Sequence, residues 1–193
     1  DLGAGTVSGA DTGTDTISGV ENISTGSGDD TVTADGLANI IATGAGDDVV
    51  EGAGGDDTLD GGTGVDTISF ESAEQGVTVD LESGSAQGVD TGTDTFSGFE
   101  NVVGGRGADM ITGDDLNNVL IGNAGNDTID GGAGDDRLDG GLGNDVFIVS
   151  DGDDVIIAGG GTDTLKIGAD YSIQGVMLDK DTGDLTLNFL KAT

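Results

Sequence analysis

Residues Thr43–Ser69 read TGAGDDVVE GAGGDDTLD GGTGVDTIS, three consecutive nine-residue segments in one register. A fixed internal period marks a chain built from one small unit stacked on its neighbours. Each segment opens with small residues and Gly, carries Asp at position 6 (Asp48, Asp57, Asp66), and places a large apolar residue at position 8 (Val50, Leu59, Ile68). Backwards, the frame takes in Thr25–Thr33 (TGSGDDTVT) and the degenerate Ala34–Ala42 (ADGLANIIA). Forwards, it resumes at Gly104–Thr112 (GGRGADMIT). It then runs through GDDLNNVLI, GNAGNDTID, GGAGDDRLD, GGLGNDVFI and VSDGDDVII to Ala158–Lys166 (AGGGTDTLK) without an insertion.

The composition is poor material for an ordinary core. Among 193 residues there are 40 Gly and no Pro, and 3% are aromatic. Glycine raises the chain entropy that folding must overcome. The 38 acidic residues against 5 basic ones give a net charge of −33. By itself that balance describes an acidic disordered chain. The repeat argues against it and leaves disorder for metal-free conditions. All five cations, Arg106, Arg137, Lys166, Lys180 and Lys191, lie in the second half. Without clustered Lys or Arg, nucleic acid and anionic membrane surfaces are excluded as partners. No apolar run approaches the length of a membrane span. There is no Cys and no His, so disulfides and the usual zinc ligands are missing. Oxygen ligands remain, and these suit Ca²⁺.

Each nonamer divides into a six-residue turn and a three-residue strand. Gly at positions 1, 2 and 4 permits positive φ. In the strand, position 8 faces inward while 7 and 9 face out. Two nonamers complete one coil, so the chain alternates between two parallel sheets, and the expected fold is an all-β parallel β-roll. Val32, Val50 and Ile68 then stack on one sheet, with Ile41 and Leu59 on the other; later, Ile111, Ile129, Phe147 and Leu165 oppose Leu120, Leu138 and Ile156. Turns on one side recur every 18 residues and stack about 4.8 Å apart. Position-6 carboxylates so stacked, roughly 5 Å apart, repel by about 3 kcal/mol at an effective dielectric of 20. Two oxygens across one calcium ion are also roughly 5 Å apart.

A longer period lies above the nine: DTGTDTISGVEN at residues 11–22 returns as DTGTDTFSGFEN at residues 90–101, an offset of 79. Asp1-Leu2 correspondingly match Asp80-Leu81, the end of a strand-like VTVDL, which reads as an opening in mid-unit of a longer protein. The expected organisation is the end of a preceding unit (1–9), a first β-roll unit (10–69), a strand-containing connector (70–103), a second β-roll unit (104–166) and a C-terminal β-hairpin cap (167–193). The hairpin is expected from Val176-Met177-Leu178 and the alternating Leu185–Leu190, split by DKDTGD. It would cover the outward Ile148 and Ile157 at the end of the stack.

The pattern GGxGxDxUx, with U apolar, resembles the hemolysin-type (RTX) calcium-binding repeat family over most of residues 10–166. The resemblance implies that position-6 side chains and turn carbonyls hold several Ca²⁺ ions between turns i and i+2. The implied stacks are Asp30/Asp48/Asp66, Asp109/Asp127/Asp145/Asp163 and Asp136/Asp154, with Asp57 beside Asn39. The implied turn glycines are Gly26, Gly28, Gly44, Gly46, Gly62, Gly64, Gly105, Gly107, Gly125, Gly132, Gly134, Gly141, Gly143, Gly159 and Gly161; Asn123 takes the glycine place beside Gly125. Asn39 and Asn118 stand at position 6 in repeats that lack the position-4 glycine and are read as weaker sites. Closure of such turns by side-chain hydrogen bonds without metal is the alternative. Asp15 and Asp94 lie in TGTDT segments after which the frame slips; with Glu21 and Glu100 they are secondary ligand candidates. The position-5 acids Asp29, Asp47, Asp56, Asp135 and Asp153 are expected to form a solvated surface.

Catalysis within these residues is not expected: there is no His, no Cys and no Ser-centred motif, and Tyr171 stands alone. The outward pairs Thr31/Thr33, Val49/Glu51, Thr58/Asp60 and Thr67/Ser69 form no regular Thr ladder, which argues against ice binding. The resemblance implies type I secretion from a Gram-negative bacterium, an extracellular or cell-surface location and folding on meeting calcium. The expected role is a structural or adhesive segment, surface-layer proteins included, with self-association or a cell-surface polysaccharide as further partner classes. The alternative is an accessory domain of a secreted protease, lipase or alginate epimerase.

Overall fold

The computed structural model describes residues 6–9, 13–16, 19–167, 171–178 and 185–191, and the side chains of 19–148 and 150–167. Every regular element among them is a strand. Two sheets face each other across one narrow core. The seven-stranded sheet contains β4 (Thr31–Thr33), β6 (Val49–Glu51), β8 (Thr67–Ser69), β12 (Asn101–Val103), β14 (Val119–Ile121), β16 (Arg137–Asp139) and β18 (Val155–Ile157), in that spatial order and all parallel. The ten-stranded sheet runs β3 (Asn22–Ser27), β5 (Ile40–Ala45), β7 (Thr58–Asp60), β11 (Gly92–Ser97), β10 (Ser85–Gly88), β9 (Val77–Asp80), β13 (Met110–Thr112), β15 (Thr128–Asp130), β17 (Val146–Val149) and β19 (Thr164–Ile167). Consecutive repeats alternate between the sheets, and the whole is a parallel β-solenoid.

Three residues suffice for most of the repeat strands because the middle one faces the core, though in β8 Ser69 is buried as well. Val32, Val50, Ile68, Val102, Leu120 and Leu138 lie in register along one sheet, and all are buried. Across from them lie Ile41, Leu59 and Phe96, then Val79, Ile111, Ile129 and Phe147. Each such burial contributes about 1.5–3 kcal/mol. Ile23, Ile156 and Leu165, at the ends of the stack, are only partly buried. The two ladders match the expected inward set.

The connector is where the fold departs from pure repetition. After β8 the chain crosses to the other sheet as β9, doubles back as β10 and again as β11. β11 pairs in parallel with β7, and β9 pairs in parallel with β13, so the antiparallel β10 sits inside an otherwise parallel sheet. β12 then fills the rung between β8 and β14. Phe96 and Phe99 pack edge to face at 5.9 Å; with Phe70 they are buried in a core that the repeats line mostly with Val, Ile and Leu. Asp90 accepts the backbone N–H groups of Glu74 and Gln75, which pins the 70–76 loop.

The 79-residue echo has a structural counterpart. β1 (Thr6–Gly9) pairs antiparallel with β2 (Gly13–Thr16), matching Val7 to Asp15, just as β10 and β11 match Ala86 to Asp94. At the other end, β20 (Tyr171–Leu178) and β21 (Leu185–Lys191) form an antiparallel hairpin in which Val176 opposes Leu187 and Leu178 opposes Leu185. The DKDTGD segment between them lies outside the described residues.

Candidate metal sites

The position-6 residues form two columns, one on each edge of the solenoid. Within a column each backbone N–H donates to a carboxylate on the following coil. Asp30 N–H donates to Asp48 Oδ1 (2.7 Å), and Asp48 N–H to Asp66 Oδ1 (2.8 Å). Asp109 donates to Asp127, Asp127 to Asp145, and Asp145 to Asp163, at 2.8–2.9 Å. Asn39 donates to Asp57, Asn118 to Asp136, and Asp136 to Asp154. One oxygen of each accepting carboxylate is therefore used by the protein itself. Sequence reasoning missed this bond, having treated the column as bare charges facing each other.

The second oxygen carries the chemistry. Oδ2 of Asp48, Asp57, Asp66, Asp94, Asp127, Asp136 and Asp145 is buried without any hydrogen-bond partner. A buried, unpaired charge is strongly disfavoured. Burial accordingly pushes the Asp127 carboxyl up to about 7, against the hydrogen bond from Asp109, with the Asp109 and Asp145 charges adding to the rise. Burial likewise raises Asp94 to about 7, and Asp57 and Asp136 to about 6. Asp66, Asp109, Asp145 and Asp154 are raised for the same leading reason.

The turns explain which glycines the column needs. Positive φ occurs at positions 2 and 4, for example Gly44 (+103°) and Gly46 (+137°), and not at position 1. The expectation of positive φ at position 1 is thus corrected. Where position 1 is glycine the packing is tight: a Cβ on Gly122 would strike Asp127 Oδ2 and lie 3.0 Å from the Gly140 carbonyl oxygen, while other coils carry Thr43 or Ala158 at this position. On Gly140 it would strike Asp145 Oδ2 and lie 2.9 Å from the Ala158 carbonyl. An orphaned carboxylate oxygen and a carbonyl oxygen of the next coil thus converge beside position 1, a donor pair that suits a hard cation. The position-1 carbonyls of Gly140 and Ala158 are candidate ligands that the sequence reading left out. Several position-2 carbonyls are already engaged: Gly44, Gly105 and Gly141 accept N–H groups from Thr63, Ala124 and Gly160.

The remaining glycines hold the turns in line. Gly26, Gly44 and Gly62 stack carbonyl against Cα, as do Gly28, Gly46 and Gly64. In the second block Gly107, Gly125, Gly143 and Gly161 form one such row, while Asn123, Gly141 and Gly159 form another. Gly132 lies on the Asp114 carbonyl, and Gly134 lies between Leu116 and Gly152. Gly105 and Gly107 lack positive φ; their turn stacks on the connector loop at Ala73 and Gly76.

The Asn turns differ from each other. Asn118 is satisfied: its carboxamide donates to the Glu100 carbonyl (2.8 Å) and accepts from Asp114 N–H (2.9 Å). Asn39 is buried with both carboxamide atoms unpaired. Asp94 is buried in the Asn39/Asp57 column, and Glu100 Oε2 accepts the Asp66 N–H at 2.8 Å. The Asp15 side chain lies outside the described residues, and Glu21 is exposed. The position-5 acids are exposed but not idle. Asp29 accepts Asp47 N–H, Asp47 accepts Val65 N–H, Asp56 accepts Thr93 N–H and Asp135 accepts Asp153 N–H.

Among the described residues no three acidic side chains converge on one point. The oxygens come instead as carboxylate–carbonyl pairs, seen beside Gly122 and Gly140. A solved structure similar to this chain is that of extracellular lipase LipA from Serratia marcescens, at 22% identity and a TM-score of 0.33, over 86% of this chain and 35% of that one. This chain thus spans about a third of that protein's length. No curated protein matches the chain. The family model of the RTX calcium-binding nonapeptide repeat matches in four copies, at residues 33–68, 94–115, 112–147 and 143–170. Those segments hold the columns of half-satisfied carboxylates, and the chain belongs to the RTX calcium-binding nonapeptide-repeat family.

Proposed function

We propose that this chain is a calcium-switched structural module of a secreted or cell-surface protein, expanded without the ion and folded with it. The observation that carries the reading is the row of buried Oδ2 atoms with no partner in a chain of net charge −33. When bound, calcium would supply positive charge to those rungs and accept their oxygens as ligands. The residues do the rest. Position-6 carboxylates tie adjacent coils through Oδ1 and present Oδ2 to the ion, position-1 carbonyls stand beside Oδ2 at Gly140 and Ala158, and the apolar ladders close behind them. Because the site exists only when coils are stacked, binding free energy is folding free energy. Outside a cell, where calcium is plentiful, the switch is on; during export the acidic chain stays extended. With no His and no Cys, we assign the module no catalytic role of its own. Spacing and adhesion fit an elongated scaffold with an acidic surface.

The test is circular dichroism and sedimentation velocity on metal-depleted chain during a calcium titration. A gain of β-structure with compaction in the range of about 0.1–1 mM is expected for an extracellular module. A flat response up to about 10 mM, well above that range, would overturn the reading.

A further inference from the structure

The connector leaves the nine-residue register, yet its first joint rebuilds the oxygen set of a regular rung. At Gly61 the space a Cβ would take is bounded by Asp66 Oδ2, 2.9 Å away, and by the carbonyl of Gly98. This is the pairing seen at Gly122 and Gly140. Gly98, however, is not a position-1 residue, because it lies two residues before Glu100 rather than five. The turn from Phe96 to Val102 has lost three residues relative to the repeat. Gly98 adopts φ +69°, and Glu100, one methylene longer than Asp, reaches the Asp66 N–H at 2.8 Å. Asp66 is fully buried and its Oδ2 is unpaired.

The other column repeats the result by a different route. Asp94 returns after a 37-residue excursion to accept the Asp57 N–H at 3.0 Å. Asp57 and Asp94 are 2% and 1% exposed, and Oδ2 of each is unpaired.

The far joint has opposite chemistry. Val77 occupies the rung before Asp109, and its N–H donates to Asp109 Oδ1 at 2.9 Å. Gly105 N–H takes Asp109 Oδ2 at 2.8 Å, so both oxygens are paired. Asn118 bonds the Glu100 carbonyl and needs no charge to balance it.

We propose that calcium also binds outside the repeat register, at Asp66 with Gly98 and Glu100 and at Asp57 with Asp94. These ions add to the strand pairing that joins the connector to the first block, whereas at the second block both Asp109 oxygens are already taken by hydrogen bonds. The proposal rests on the calcium reading above and adds two sites that no nine-residue spacing specifies. Its consequence is that withholding calcium from these rungs loosens the 70–93 segment on the first-block side, where strand pairing and hydrogen bonds alone then hold it, and not on the second.

The experiment compares the wild-type chain, the double variant Asp94→Asn/Glu100→Gln, and Asp127→Asn as a regular-rung control. Bound calcium is counted by equilibrium dialysis, and chymotryptic cleavage between residues 70 and 93 is timed in saturating calcium. The double variant is expected to bind at least one ion fewer and to be cut at least tenfold faster there, with residues 104–166 left intact. Asp127→Asn is expected to lose calcium without opening the connector. Wild-type stoichiometry and resistance in the double variant would overturn the proposal. Should that variant fail to fold, calcium anomalous scattering from wild-type crystals decides. Density beside Asp66 and Asp57 supports the joint sites, and density at Asp127 and Asp145 alone refutes them. A wild-type chain that binds no calcium would instead bring down the underlying reading.

Discussion

Asp127 donates its backbone N–H to Oδ1 of Asp145, 2.9 Å away and one coil further on, while Oδ2 of both carboxylates is buried without a partner. Each carboxylate thus has two separable jobs, one for the protein and one for a cation.

Substitution can divide those jobs. Asp127→Asn keeps an acceptor for the Asp109 N–H but removes the charge. We expect the coil to fold at saturating calcium with the folding midpoint raised several-fold. Asp127→Ala also orphans a buried N–H, adding about 1–3 kcal/mol of destabilisation. Thermal denaturation of both variants in saturating calcium measures the difference; equal melting temperatures would show that the Oδ1 bond contributes nothing.

Acidity should partly replace the ion. Asp57 and Asp136 are raised to about 6, and Asp94 and Asp127 to about 7, above the 3.8 of an unburied Asp. A folded-state pKa above the unfolded one stabilises the fold most below the unfolded value, and that gain fades as pH rises through the folded one. Metal-depleted chain should therefore show more β-structure at pH 5.5 than at pH 7.5. Calcium affinity should move the other way, falling as pH drops through 7 to 6, because protons and calcium compete for the same oxygens. Circular dichroism at the two pH values, with and without calcium, reads both trends.

Magnesium should not serve. It demands near-octahedral geometry at about 2.0–2.1 Å and sheds water reluctantly, whereas each rung offers a carboxylate and backbone carbonyls at a spacing set by the strands. At concentrations where calcium saturates the β signal, magnesium alone should leave the chain expanded by sedimentation velocity.

Backbone conformation gives an opposed pair of variants. Gly143 adopts φ +147°, and a Cβ there would collide with the Gly125 carbonyl; Gly143→Ala should raise the calcium midpoint sharply or abolish folding. Ala53 already sits at φ +59°, which costs an L-residue about 1–2 kcal/mol. Ala53→Gly should stabilise the calcium-loaded fold by up to about 1 kcal/mol, less the added entropy of glycine. Urea denaturation in saturating calcium measures both.

The inward ladders were legible because strand alternation leaves one buried position per repeat: Val50 and Ile68, or Ile111 and Ile129, could face no other way. The columns were legible because two nonamers make a coil, so Asp48 must meet Asp66. The Oδ1 bonds were not legible, since spacing alone cannot say that a neighbouring amide competes with the metal. Nor was the role of glycine at position 1, which at Gly122 and Gly140 avoids a clash rather than supplying positive φ. Glu100 was legible as a secondary ligand candidate at a frame slip, but its partner Asp66 was not. The place of Glu100 depends on a shortened turn and one extra methylene, and the β9–β10–β11 reversal is set into the sheet by pairing β11 with β7, 37 residues back.

The inner and outer acids of the stack point their bonds in opposite senses. Asp145 accepts from the coil before it, and Asp135 accepts from the coil after it. The solenoid is therefore a vector: its two ends offer different sets of donors and acceptors, as the two ends of a helix do. A cap that suits the leading end will not suit the trailing one, and copies of such a stack can be joined in line only head to tail.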